Sequence, residues 1–155
     1  MGPQLMFQTL HASHNGNLYR VQLHDRYDIA DLVREHRLET ATRGDGRIVF
    51  WFTPSTHSSH MQLNKQATEL LLATTRFTAR QVPLLRGNIV ITGINGAGDP
   101  AGLTDAQMQF LINAAPTSRD EWILDWRFTR DARAQRRAAR HTDTTGITAI
   151  IRAWR

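Results

Sequence analysis

Apolar and polar side chains first alternate at Leu18, just after the turn-forming Asn15-Gly16-Asn17, and continue through Tyr19, Arg20, Val21, Gln22 and Leu23, which predicts a first strand. Ile29, Ala30, Leu32 and Val33 then recur at helical spacing, with Asp28 placed to cap a helix, before Leu38 to Thr42, with its β-branched Thr40 and Thr42, turns extended again. Arg43-Gly44-Asp45-Gly46 reads as a hairpin turn. The run it introduces, Arg47 to Phe52, is the most hydrophobic in the chain; it is short, and Thr53-Pro54 ends it, as expected of a central strand. A polar loop from Ser55 to Gln62 precedes Leu63, Ala67, Leu70, Leu71 and Ala73, which fit one helix face among the helix formers Lys65, Gln66 and Glu69. Glycines bracket Ile89, Val90, Ile91 and Thr92, a buried strand, and Asn95 to Gly102 is a Gly/Asp/Pro loop. Thr104 and Gln107 form a capping box for a helix through Met108, Phe110, Leu111 and Ile112 that Pro116 ends.

The next helix opens with Trp122 and Trp126. Their i, i+4 spacing puts both on one face beside Ile123, and that face is expected to pack against the sheet. Thr142 to Gly146 reads as a turn and Ile147 to Trp154 as a terminal strand. The predicted order β-α-β-β-α-β-α-α-β makes this an α+β fold with helices on a mixed or antiparallel sheet. Val49 and Trp51, with Ile89 and Ile91, are expected on buried strands beside the helix of Leu70 and Leu71.

With 155 residues, 41% hydrophobic content and no low-complexity spacer, the chain reads as one domain: an α+β core over 1–116, and over 117–155 a Trp/Arg-rich helix and strand packed on or extending it. It contains no cysteine, which excludes disulfides, thiolate metal sites and a cysteine nucleophile. Its apolar runs fall well short of the roughly 20 residues of a membrane span, and Met1 to Leu10 lacks the pattern of a secretory signal. The expected location is the cytoplasm, that of the host if a phage encodes the protein.

Charge changes this picture. The net charge is +5, of which residues 1–116 carry +1 and residues 117–155 carry +4. The surplus comes from Arg127, Arg130, Arg133, Arg136, Arg137 and Arg140, with Asp131 alone among them. On a helix, Arg130, Arg133, Arg136, Arg137 and Arg140 fall within an arc of roughly 120°, a cationic stripe suited to phosphate or to an acidic protein surface. An ordinary solvated face is the other reading, since all the basic residues except Lys65 are arginine, as in GC-rich genomes. Trp122, Trp126 and Trp154 could stack on nucleobases beside the stripe instead of joining the core.

Other chemistry is thinner. His11 with His14, and His57 with His60, have the three-residue spacing of paired metal ligands, but a third ligand would have to come from His24, Asp25 or His36. No stoichiometric zinc or nickel is therefore expected. The glycines of Gly93 to Gly98 depart from the dinucleotide pattern and have Asp99 and Asp105 nearby, so this loop is read as a plain connection. Arg20 on the first strand and Phe52-Thr53-Pro54-Ser55-Thr56 resemble the NAD-binding elements of ADP-ribosyltransferases; the acidic residue that such enzymes carry on a late strand has no counterpart in Ile147 to Trp154. The sequence assigns no catalytic side chain, cofactor or metal.

Asp31-Leu32, Leu38-Glu39, Leu63-Asn64, Ala67-Thr68, Leu70-Leu71, Gly87 to Gly93 and Gly102-Leu103-Thr104 together resemble the domain of unknown function 3846 family over roughly residues 18–115. That resemblance implies a setting in GC-rich bacteria, their phages and mobile elements, and supplies no chemistry. The expected function is a small non-enzymatic accessory protein that binds nucleic acid or an acidic protein through the Arg helix. The alternatives are a structural or assembly component, a virion or complex subunit that could form an oligomer, and an ADP-ribosyltransferase-like enzyme using Arg20 and Ser55.

Overall fold

The computed structural model describes residues 7–13, 15–34, 38–42, 47–53, 62–75 and 77–153. Its elements in chain order are β1 (Phe7–Ala12), β2 (Leu18–Leu23), α1 (Arg26–Val33), β3 (Glu39–Thr42), β4 (Ile48–Phe52), α2 (Lys65–Thr74), β5 (Ile89–Ile94), β6 (Pro100–Ala101), α3 (Asp105–Asn113) and α4 (Ser118–Ala153). The strands form one sheet in the order β2-β1-β5-β4-β3, with β6 added to β5, and every pairing is antiparallel. The fold is α+β, as the alternation of patterns predicts.

Helices cover both faces of the sheet, and strand parity decides which side chains meet them. Leu10, Ile91 and Phe50 are register partners across β1, β5 and β4. They lie on the face that carries the larger core, under α2 (Leu70, Leu71), α3 (Met108, Leu111) and α4 (Leu124, Phe128). Their neighbours His11, Val90 and Trp51 share the opposite parity; there Val90, with Leu23 and a half-buried Trp51, meets Ile29 and Val33 of α1. Ile89 and Ile91 thus lie with Leu70 and Leu71 as expected, but Ile48 and Phe50 join them, not Val49 and Trp51. Composition shows that β4 is buried on both sides; only its register shows which residue faces which helix.

Local chemistry sets most element ends. Gly16, at φ +90°, completes the tight turn between β1 and β2, closed by Ser13 N–H donating to Asn17 O at 2.8 Å. Helix α1 is capped by Asp25, not Asp28: the Asp25 carboxylate accepts from the amides of Tyr27 and Asp28, and Asp28 returns a bond to the cap backbone, so Asp28 is the third residue of a capping box. The Thr104–Gln107 capping box opens α3 as predicted. Asn64 caps α2 and also holds it to the sheet side: its side-chain amide donates to Ala12 O at 2.9 Å and Gly87 O at 2.8 Å while its oxygen accepts from Ala67 N at 3.1 Å. Gly93 admits β6, because a methyl group there would come 2.8 Å from the Gly102 carbonyl oxygen.

Three elements differ from the sequence reading. Strand β1 precedes the first predicted strand; Thr9 and His11 interrupt its apolar signal, yet Thr9 is buried with its hydroxyl donating to Val21 O at 3.0 Å. Strand β6 forms inside the predicted Asn95 to Gly102 loop, where Asn95 organises a turn by accepting from the amides of Ala97 and Asp99 at 2.9 Å. The predicted turn and terminal strand are absent: Thr142 to Ala153 continue α4, a helix of 36 residues and so about 54 Å long. β-Branched residues favour a strand only where they meet a pleated, half-buried surface, and no proline interrupts this helix once it has nucleated. Gly146 costs about 1 kcal/mol relative to alanine, through backbone entropy, without stopping it. The predicted Arg43 to Gly46 turn and Trp154 lie outside the described residues, as do Pro54 and Ser55 to Met61 of the polar loop.

Candidate functional site

Helix α4 carries the residues that the sequence singles out, and its start is well determined. Thr117 caps it, its hydroxyl accepting from Asp120 N at 3.2 Å, and Asp120 and Glu121 place acidic charge in the first turn, where the helix dipole favours it. Buried Leu124 and Phe128 and half-buried Asp120, Ile123, Arg127, Asp131 and Gln135 mark the face turned to the domain. This stripe recurs at helical spacing and ends at Gln135; residues 136–140 are all exposed.

Trp122 and Trp126 are on the other side, 72% and 58% exposed, in place of the expected packing against the sheet. At 100° per residue they stand roughly 120–160° around the helix from Leu124 and Phe128. The cause lies further along the helix: Trp122 and Trp126 fall inside the same arc as Arg133, Arg137 and Arg140. Burying the indoles would expose Leu124 and Phe128 and turn Arg133, which lies within the length of α4 that meets the domain, towards the apolar core, where unpaired charge is very costly.

Two residues of the arginine run serve the fold. Arg127 donates an Nη1–H to Ala79 O at 2.7 Å, which ties α4 to the turn at 78–82, and burial pushes its guanidinium below the ordinary pKa. Asp131, the one carboxylate within the run, is held in a two-pronged ion pair by Arg86, which precedes β5: Nη1 lies 3.0 Å from Oδ2 and Nη2 meets Oδ1. The long-range partner Arg86 thus removes the only internal counter-charge from the stripe.

Arg130, Arg133, Arg136, Arg137 and Arg140 remain exposed, and among the described residues none is ion-paired to a carboxylate. Arg136 bonds back to its own helix, Nε to Ala132 O at 3.4 Å. The Arg130 guanidinium lies over the Trp126 ring, 5.5 Å from its centroid. A groove of about 760 Å³ runs past Trp122, Trp126, Arg130, Arg133 and Arg137, with Asp125 also on its lining. Beside it, an open cavity of about 400 Å³ lies between α4 and Arg80. The assembled surface is aromatic at one end and cationic along its length.

Two acids of α4, Glu121 and Asp125, also act on α2. Glu69 of α2 has a pKa raised above its ordinary value, first by burial and then by Glu121 and Asp125, with Lys65 opposing them. A carboxyl whose folded pKa lies above its unfolded value holds its proton more tightly when folded. Its ionised form therefore destabilises the fold, fully so above the raised pKa and not at all below the unfolded one. Glu69→Gln should accordingly raise the Tm at neutral pH by about 1–2 °C, a small gain because solvent screens a partly exposed group, and the gain should vanish near pH ~4. Thermal melts at the two pH values check this.

The remaining candidates do not converge on this surface. His11 sits on β1 with its ring 6.2 Å from that of Tyr19, while His14, His36, His57 and His60 lie outside the described residues. Among the described residues no three His, Asp or Glu side chains gather as a metal site. Arg20 is exposed on the edge strand β2, and Ser55 is outside the described residues. The segment 147–153, expected as the terminal strand, is helix. Among the described residues no helix is long and apolar enough to cross a membrane. Comparisons with protein-family models, with curated proteins and with solved structures found no match to this chain.

Proposed function

We propose that this protein is a small non-enzymatic accessory factor that binds nucleic acid through the solvent face of α4. The observation carrying this reading is that five exposed arginines without carboxylate partners among the described residues share one helix face with two exposed tryptophans. Guanidinium groups in a row suit a phosphate backbone, and indoles add a surface for bases or sugars. The resemblance to the domain of unknown function 3846 family adds a phage or mobile-element setting to the proposal.

An assembly role is the second reading. Tryptophan and arginine are also the residues that dominate protein interfaces, and Trp122 and Trp126 are large apolar groups left open to solvent. Titration of the full chain with labelled oligonucleotides over a range of salt separates the two. Nucleic-acid binding by three to five of these arginines should give a slope of log affinity against log salt of about −2 to −4.5. No binding at low salt, together with self-association in sedimentation, would favour assembly.

A further inference from the structure

Phosphate binding needs only the arginines, so the two tryptophans call for a separate explanation. Trp122 is 72% exposed and makes no ring or cation contact among the described residues, whereas Trp126 has the Arg130 guanidinium over its ring. Both indoles line the 400 Å³ cavity with Ile123, and Arg80, Arg127 and Arg130 complete its wall. Its volume falls within the range of small-ligand sites. The bond from Arg127 to Ala79 O fixes the α4 side of that wall to the turn carrying Arg80, so two separate elements build the cavity. Its lining is apolar and aromatic, with guanidinium groups around it, and the groove leads on from it past Arg133 and Arg137.

We infer that this cavity takes an unstacked nucleobase of a single strand, with Trp122 as the stacking surface and the flanking phosphates on Arg80, Arg130 and Arg133. The inference rests on the nucleic-acid reading above and narrows it. A base inside a duplex has both π-faces covered by its neighbours and offers an indole nothing to stack on; an unpaired base offers a whole face whatever its identity. The carboxylates of an acidic peptide would satisfy the arginines but have no face to stack on the indoles, whereas each nucleotide of a single strand brings both a phosphate and a base.

Three probes with equal numbers of phosphates per strand test this on the full chain: a dodecamer of thymidylate, an abasic strand of the same length, and the matching duplex. The thymidylate strand should bind at least about tenfold more tightly than the abasic strand. Trp122→Ala should bring thymidylate binding down to the abasic level without changing abasic binding or the salt slope, and Trp122→Phe should retain most of the difference. Equal affinity for the thymidylate and abasic strands, or tighter binding of the duplex, would overturn the inference and leave phosphate binding by α4 standing. Failure to bind any of the three, or tighter binding of polyglutamate, would overturn the nucleic-acid reading itself.

Discussion

Asn64→Ala is expected to lower stability by about 3–4 kcal/mol, and the Tm by about 8–15 °C for a domain of this size. Asn64 is 1% exposed and uses every polar atom of its side chain: the amide bridges the carbonyls of Ala12 at the end of β1 and Gly87 before β5, and the oxygen caps α2. Losing the cap alone costs about 1 kcal/mol; the rest comes from two buried carbonyls deprived of a donor and from the space left behind. Asn64→Asp separates these contributions. It keeps the capping oxygen and the volume but turns a carboxylate towards two carbonyl oxygens, so at neutral pH it should be at least as damaging as alanine. Because that environment favours the protonated acid in the folded state, part of the loss should return as the pH falls through the raised carboxyl pKa. Denaturant unfolding of both variants at neutral and acidic pH measures this. Equal stability of Asn64→Ala and the parent would mean that the bridge between β1, β5 and α2 is dispensable.

Changing Arg133 and Arg137 together to glutamine should weaken nucleic-acid binding by about 25- to 60-fold near 0.1 M salt. Each phosphate contact contributes a slope of about 0.7 for single strands or 0.9 for duplex, so two lost contacts flatten the salt dependence by about 1.4 to 1.8. The affinity difference should close as salt approaches about 1 M, where counterion release no longer drives binding. Both side chains are exposed, so stability should move by less than about 0.5 kcal/mol, and the defect can be read as a binding defect. Arg127→Gln should behave differently: Arg127 holds Ala79 O, so this change should reduce stability as well as alter the cavity wall. If the double variant binds as the parent does, the solvent face of α4 is not the phosphate-binding surface.

The tryptophans show how much of the site could be read before the fold was known. The periodicity that groups Arg130 to Arg140 on one face also places Trp122 and Trp126 there, so expecting a buried Trp face and an exposed Arg face on the same helix was inconsistent. Carrying the helical period past Trp126 resolves the conflict in favour of Leu124 and Phe128 as the buried pair. The fate of Asp131 was not legible in the same way. It looked like an internal counter-charge of the stripe, but it is paired with Arg86, 45 residues away in the chain, a contact that exists only because α4 crosses the approach to β5.

Periodicity and turn chemistry by themselves determined the α+β class, strands β2 to β5, helices α1 to α3 and the cationic character of α4, because side-chain spacing, caps and glycine turns act over a few residues. The tertiary structure alone decided that β1 lies between β2 and β5, that β6 pairs with β5, and that Ile48 and Phe50 rather than Val49 and Trp51 face α2. At 147–153 a run rich in β-branched residues continues α4 as helix, a choice the local pattern did not settle. These outcomes depend on which surfaces lie opposite each other, and strand register and β-propensity have no fixed value until a partner surface exists.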